Sequence, residues 1–272
     1  MTLYKPIGQT ICNMDKKLVT VVIPIHLEEP LALEKISLAQ TLAVLNQYPI
    51  TFMTPTWLDV SWYEEFCQGK ATVHFERFDW RGHEAHGELL TNSVFYERFL
   101  PYEYILTVHL DAFVFRDELT RWCHAGYDYA GAVTYNPLWE QPNSTMRRLT
   151  GFSYPEYFGS GGFSLKKVST FYRITSQFRF YMNAYHWLRR RRGLSFYDDL
   201  FLAQHFPKLS AGFRVPPKAL AQQFGAAWEF GEEKDLPFSN HDNASLPFGI
   251  HGWVKYFHEY WKPAIRYYGH SI

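Results

Sequence analysis

The sequence contains little cysteine and no long apolar segment. Its three cysteines, Cys12, Cys67 and Cys123, are widely spaced and form no CxxC pair, so neither a disulfide framework nor a zinc site is indicated. This usage fits a reducing compartment, and we expect a cytoplasmic protein. No segment approaches the roughly 20 apolar residues needed to span a bilayer. Any membrane contact is therefore expected to be peripheral, at the inner face.

The chain also lacks an excess of charge of either sign and the common nucleotide-binding motifs. Its 27 basic side chains balance 27 acidic ones, whereas proteins that bind nucleic acids usually carry a basic excess. The glycine cluster Gly159-Ser-Gly-Gly162 has neither the GxGxxG order nor a Walker sequence. Aromatic residues make up 19% of the chain, and flat rings suit sugar and base faces as well as cores. We expect a particular molecule as ligand, and no nucleic acid.

Strand-like apolar segments alternate with helical ones along the 272 residues, a length that suits one large domain. The predicted strands are Leu18–Ile25, Ile50–Thr54, Ala71–Phe75, Tyr104–Phe115 and Tyr127–Val133. The predicted helices are Leu31–Leu45, Glu88–Phe99 and Lys166–Arg192. This alternation predicts an α/β fold with a mostly parallel central sheet flanked by helices, and ligands at the carboxyl ends of the strands. The aperiodic stretch Tyr135–Phe158 is expected to be a long surface loop.

Asp111 is a lone carboxylate near the end of the predicted strand Tyr104–Phe115. An acid among apolar neighbours needs a partner or a cation. One candidate is His109, two residues earlier on the same strand face, and another is a residue that the fold brings in from far away. The alternative interpretation is an aspartate that caps a turn or pairs with an arginine.

Three further segments carry candidate functional groups. Asp198 and Asp199 open an amphipathic segment, where N-capping explains one acid and leaves the other free to act on a proton. His251, between glycine and aromatic residues, could be the distant partner of Asp111, because imidazole and carboxylate together suit Mn²⁺. The run Arg189–Arg192 is typical of a solvated helix end, with an acceptor phosphate or an anionic membrane surface as the alternative.

The order of these features resembles that of the GT-A-type glycosyltransferases, which carry a DxD-type metal motif, a glycine loop, an xED motif and a C-terminal metal-binding histidine. More closely, five segments resemble a family of presumed glycosyltransferases first described as a domain of unknown function. They are Tyr102–Leu106, Leu110–Phe115, Tyr127–Gly131, Gly161–Leu165 and Pro247–Trp253. The resemblance extends roughly from Val19 to Trp261.

The resemblance implies a single GT-A-like, Rossmann-type domain over residues 1–272. Its nucleotide-sugar half would cover about 18–134, and its acceptor and catalytic half about 135–262. Asp111 would be the last acid of the DxD-like motif, with His109 as a degenerate first member. Asp111 and His251 would then bind Mn²⁺ or Mg²⁺.

The same resemblance assigns the remaining site residues. Asp199 matches the residue that acts as base in inverting members, with Asp198 as the second choice. The nucleotide-sugar donor would contact residues at and just after the end of the first strand. It would also contact the first position of the DxD-like motif and the glycine loop. These residues are Pro24, His26, Glu28, His109, Gly161 and Gly162.

The sequence therefore predicts a metal-dependent, inverting glycosyltransferase. It would move a sugar from a nucleotide diphosphate sugar, with UDP favoured, to a hydroxyl of a saccharide or lipid-linked glycan, as in polysaccharide biosynthesis. Two alternatives stay open: a metal-dependent phosphohydrolase or nucleotidyltransferase, and a non-catalytic sugar-binding protein. The aromatic and cationic segment Trp253–Lys262 is expected to pack on the domain, with membrane contact as its alternative.

Overall fold

The computed structural model describes residues 16–134, 157–227, 246–256 and 258–272. Nine strands lie within these ranges: β1 Lys17–Pro24, β2 Ile50–Pro55, β3 Val73–Phe78, β4 Tyr102–Val108, β5 Ala112–Val114, β6 Tyr129–Thr134, β7 Gly159–Lys167, β8 Gly225–Ala227 and β9 Gly249–His251. The helices are α1 Ala32–Leu45, α2 Ser61–Cys67, α3 Gly82–Leu90, α4 Ser93–Glu97, α5 Leu119–His124, α6 Val168–Gln177, α7 Arg179–Arg191, α8 Asp198–Leu209, α9 Lys218–Phe224 and α10 His258–Tyr267. Cys12 and most of the predicted loop Tyr135–Phe158 lie outside the described residues.

All nine strands form one sheet in the order β3-β2-β1-β4-β7-β6-β8-β9-β5. The first four are parallel to one another, β7 is antiparallel to both β4 and β6, and β5 is antiparallel to β9. The prediction of an α/β fold with a mostly parallel sheet is confirmed. The carboxyl ends of β1, β2, β3 and β4 consequently lie along one edge of the sheet.

The central strands β1 and β4 are mostly apolar because helices cover both faces of the sheet. On one face, Val21 of β1 and Leu106 of β4 belong to a cluster that includes Leu38 of α1. On the other face, Val22 of β1 packs in a cluster that includes Phe171 of α6. The core therefore consists of two layers that hold the sheet between them.

The predicted strand Tyr104–Phe115 is two strands joined by a turn. The amide of His109 still donates to the carbonyl of Gly162 on β7 (2.8 Å), and the chain then turns, so that the amide of Ala112 donates back to the carbonyl of His109 (3.0 Å). The expectation that His109 and Asp111 share one strand face is therefore wrong. Both residues lie in the turn at the carboxyl end of β4.

The predicted helix Lys166–Arg192 also differs from the structure. Strand β7 continues to Lys167, and the helical part divides into α6 and α7 at Phe178. The predicted helix Glu88–Phe99 is likewise two helices, because the side chain of Asn92 accepts from the amide of Val94 and starts a new helix there.

The aromatic C-terminal segment packs on the domain. Trp253 and Trp261 are buried, and the indole nitrogen of Trp253 donates to the hydroxyl of Ser37 on α1 (2.9 Å). These two rings are consequently not available to a membrane. Within the described ranges, no helix combines the length and the apolar character that crossing a bilayer requires. Cys67 and Cys123 are buried free thiols.

Candidate active site

The turn after β4 brings Asp111 against two residues from the C-terminal part of the chain. Asp111 as a whole residue is only 8% exposed. Oδ1 lies 3.1 Å from Nε2 of His251, and Oδ2 lies 3.4 Å from Nζ of Lys255. His251 is thus the distant companion of Asp111, and Lys255 is a further cation that the sequence patterns did not single out.

The backbone fixes the position of His251. Strand β9 pairs with β5 so that His251 stands opposite Ala112, and the amide of Gly252 donates to the carbonyl of Asp111 (2.9 Å). The ring is oriented by a hydrogen bond of 2.9 Å between Nδ1 and the hydroxyl of Ser160. The imidazole therefore presents Nε2 to Asp111.

His109 completes a group of three residues that could hold a metal ion. Ligand atoms of His109, Asp111 and His251 all lie within 4.8 Å of one another, and the two imidazole rings are 5.4 Å apart. Nε2 of His109 is buried and has no hydrogen-bond partner. Such an atom is unusual in a folded protein, and a cation would supply the missing interaction. Two imidazoles and one carboxylate fit Mn²⁺ or a related divalent ion.

The electrostatics of this group favour metal-binding protonation states. Burial opposes ionisation of Asp111, but the charge and hydrogen bond of His251, followed by His109 and Lys255, hold the pKa of its carboxyl well below the usual range. Burial lowers the pKa of His109, and the neighbouring His251 lowers it further. An ionised carboxylate and a neutral imidazole are the forms that bind metals.

Asp198 and Asp199 occupy the first turn of α8, beside the glycine cluster. Oδ1 of Asp199 accepts from the amide of Leu200 (2.8 Å), and its Oδ2 accepts from the amide of Gly161 (3.4 Å). Oδ2 of Asp198 is buried and has no hydrogen-bond partner. The expectation that one acid is the N-cap is wrong, because Tyr197 has the extended backbone of a cap residue and both acids lie inside the helix.

Lys166 lies near the acid pair in the core of the sheet and was not identified from the sequence. Its side chain is fully buried, and Nζ donates to the hydroxyls of Thr107 and Ser164. Burial lowers the pKa of Lys166 to about 8, although the charges of Asp198 and Asp199 act in the opposite direction. The polar residues Ser164 and Lys166, two positions apart in β7, are the signal that could have revealed it.

Burial also controls the acid pair. Burial and, to a smaller extent, the charge of Asp199 raise the pKa of Asp198 to about 7 against the opposing effect of Lys166. Burial raises the pKa of Asp199 as well, while backbone hydrogen bonds from Leu200 and Gly161 favour its charged form. Burial therefore favours a proton on the pair, whereas two backbone hydrogen bonds support the charged form of Asp199.

Two adjoining cavities meet at His109 and Asp111. The first, which we call the carboxylate cavity, has a volume of about 540 Å³ and is lined by Asp198, Asp199, Gly161, Gly162 and His251, among others. The second, the tryptophan cavity, has a volume of about 390 Å³ and is lined by Trp57, Trp80, Pro24 and His26, among others. Both cavities share His83, His109, Asp111 and Lys255 as lining residues.

The structure brings together most of the residues predicted for the site. Pro24 and His26 line the tryptophan cavity, whereas Glu28 is exposed and lines neither cavity. Gly161 and Gly162 belong to strand β7 rather than to a loop. Gly162 allows His251 to lie directly against the strand, since a β-carbon at position 162 would be 2.1 Å from Nε2 of that histidine.

A family model and solved structures match this chain. The model of a family described as "Protein of unknown function (DUF5672)" matches residues 71–251. No curated protein sequence matches the chain.

Two solved structures are informative. Galactosyltransferase LgtC, in complex with donor and acceptor sugar analogues, is 12% identical with a TM-score of 0.54, over 85% of this chain and 86% of that one. Mouse xyloside xylosyltransferase 1, in its apo form, is 8% identical with a TM-score of 0.51, over 87% of this chain and 97% of that one. At these identities the likeness establishes the fold, which is that of the GT-A glycosyltransferases.

Proposed function

The chain belongs to the family described as proteins of unknown function (DUF5672), and from that premise and its GT-A fold we propose that it is a metal-dependent glycosyltransferase. It transfers a sugar from a nucleotide diphosphate sugar, with a UDP-sugar favoured, to a hydroxyl of a saccharide or lipid-linked glycan. One observation carries this proposal. Two adjoining cavities meet at His109 and Asp111, two of the three candidate metal residues, and the half-buried acid pair lines the cavity that also contains His251.

The tryptophan cavity is the proposed donor site. Trp57 and Trp80 offer rings for the nucleoside, and Pro24 and His26 lie at the carboxyl end of β1, where α/β folds bind nucleotides. His109, Asp111 and His251 would hold Mn²⁺ or Mg²⁺ between the two cavities. A divalent ion bound there supplies a Lewis acid for the charge that develops on the departing diphosphate. Lys255, which lines both cavities, adds a positive charge next to the same group.

The carboxylate cavity is the proposed acceptor site, and Asp199 is the proposed base. Its charged form is favoured by two backbone amides, whereas burial raises the pKa of Asp198 to about 7. Asp199 removes the proton of the acceptor hydroxyl as that oxygen bonds to the anomeric carbon and the bond from this carbon to the diphosphate breaks. A direct displacement of this kind inverts the anomeric configuration. If NMR showed that the product retains the anomeric configuration of the donor, Asp199 would not be the base.

A thermal-shift screen tests the donor site and the metal site together. UDP, GDP and CMP are added with and without Mn²⁺ to the wild type, to Asp111→Ala and to Glu97→Ala, a control at an exposed carboxylate of α4. We expect one nucleotide to raise Tm only with Mn²⁺, because a ligand of the folded state stabilises it by mass action. The response should disappear in Asp111→Ala and persist in Glu97→Ala.

Other outcomes favour the alternatives. Release of phosphate or sugar phosphate from the nucleotide sugar without an acceptor would indicate a phosphohydrolase. Metal-independent glycan binding that is unchanged in Asp199→Ala would indicate a sugar-binding protein. A Tm that responds to no nucleotide would contradict the proposal.

A further inference from the structure

Charge is distributed very unevenly along this neutral chain. Residues 157–197, which we call the basic segment, contain eight lysines and arginines and no aspartate or glutamate. The rest of the sequence consequently carries the balancing acidic excess. Such a separation of charge indicates an anionic partner for one part of the molecule.

The structure divides the cations of the basic segment into internal and external ones. Lys166 is buried in the sheet. Arg189 is buried against Glu84 and Glu88, and Arg190 pairs with Glu88. The sequence expectation that Arg189–Arg192 is a solvated helix end is therefore wrong for Arg189.

The external cations accompany exposed aromatic side chains on helix α7. Phe180 is 80% exposed and Trp187 is 54% exposed. The guanidinium of Arg179 lies 5.5 Å from the centre of the Phe180 ring, and that of Arg191 lies 4.7 Å from the centre of the Trp187 ring. Arg179, Arg191 and the exposed Arg192 have no carboxylate partner among the residues that the structure describes.

Helical spacing places these groups on one outer face. Phe180, Ala184, Trp187 and Arg191 follow one another at intervals of four, three and four residues, which is the spacing of a single helix face. The exposed Tyr181 and Leu188 border this stripe, and the exposed Leu194 lies just beyond the helix. The inner face of the same helix is formed by Met182, His186 and Arg189, which are buried.

We propose that the outer face of α7, formed by Phe180, Trp187 and Arg191 and extended by Arg192 at the helix end, docks on an anionic membrane surface. Arginines supply the attraction to acidic headgroups, and aromatic rings insert at the boundary between headgroups and acyl chains. A second copy of this chain is disfavoured as occupant, because two identical basic faces repel each other. This inference does not depend on glycosyl transfer.

The position of this face also suits a lipid-linked substrate. The chain passes from α7 through Leu194 to Tyr197, which lines the carboxylate cavity. Docking through α7 would therefore bring the proposed acceptor cavity close to the lipid surface.

Vesicle co-sedimentation of the full chain tests the inference without any sugar. The wild type should bind mixed phosphatidylcholine and phosphatidylglycerol vesicles, bind pure phosphatidylcholine vesicles weakly, and bind less as salt rises. Both Arg191→Glu/Arg192→Glu and Phe180→Ala/Trp187→Ala should reduce partitioning at least about tenfold. The matched pairs Lys16→Glu/Arg98→Glu and Val94→Ala/Tyr267→Ala alter exposed residues elsewhere and should bind like the wild type.

Melting curves verify that each variant is folded. The proposal would be overturned if the wild type did not bind vesicles, or if all variants bound them equally. It would also be overturned if charge reversal abolished vesicle binding while Phe180→Ala/Trp187→Ala had no effect. Light scattering that showed a concentration-dependent dimer, converted to a monomer by Phe180→Ala/Trp187→Ala, would also overturn the proposal. The partner of this face would then be a second copy of the chain. Binding only to an acidic protein, without vesicle binding, would overturn it as well.

Discussion

At the scale of single residues, the contact between Gly162 and His251 is the tightest constraint on the candidate metal site. The imidazole occupies the space that a side chain at position 162 would need. We expect Gly162→Ala to displace His251 and to lower Mn²⁺ affinity by about 10–100-fold, the usual cost of disturbing a ligand's support. Isothermal titration calorimetry measures the change.

A double variant distinguishes displacement from general damage. If Gly162→Ala acts only through the imidazole, then Gly162→Ala/His251→Ala binds Mn²⁺ no more weakly than His251→Ala alone. If Gly162→Ala bound Mn²⁺ with the affinity of the wild type, Gly162 would not be needed to position His251.

The half-buried acid Asp198 makes stability depend on pH. Its pKa is raised on folding, to about 7, so the folded state holds a proton that the unfolded chain has already released. Stability should therefore fall as pH rises from the ordinary aspartate pKa towards 7, and the loss is complete above that value. We expect Asp198→Asn to remove this loss and to raise the free energy of unfolding at pH 8 by on the order of 1 kcal/mol.

Urea unfolding at pH 5 and pH 8 checks the prediction, with the exposed Glu97→Gln as control. Stabilisation by Asp198→Asn that is equal at both pH values would show that the acid's charge is not the cause.

At the scale of elements, Arg189 joins two helices. Its guanidinium extends from α7 to Glu84 and Glu88 on α3 (2.8 Å to each) and also donates to the carbonyl of Leu194. We expect Arg189→Met to lower the free energy of unfolding by about 1–2 kcal/mol, because the half-exposed Glu84 loses its partner while Glu88 keeps Arg190. Arg191→Met, on the exposed side of the same helix, should change it by less than about 0.5 kcal/mol. Equal effects in urea denaturation would show that Arg189 does not join the helices.

The elements also show what a sequence can and cannot predict. Strands β1 and β2 were located to within one residue at each end, because a parallel strand covered on both faces is a continuous apolar run. The run Tyr104–Phe115 was equally apolar, yet it forms two strands that pair with different neighbours. The periodicity of apolar residues predicts which positions are buried but not which strands pair with each other. The turn that contains His109 and Asp111 could therefore not be predicted.

At the scale of the whole molecule, the candidate site joins residues that are distant in the sequence. The family resemblance gave the order of Asp111, Gly161, Asp199 and His251, whereas only the folded chain shows that His251 lies 3.1 Å from Asp111. Lys255 and Lys166 belong to no motif that we recognised and were missed. The resemblance predicts Glu28 as a donor contact because it follows the first strand, but in the structure this residue is exposed to solvent.

The two cavities have a common boundary, and this has a thermodynamic consequence. A ligand in either cavity lies against His83, His109, Asp111 and Lys255 and changes the charge and solvation that a ligand in the other cavity meets. The two binding equilibria are therefore coupled. By linkage, the factor by which one ligand alters the affinity for the other is the same in both directions, so titrating either substrate in the presence of the other yields one coupling free energy.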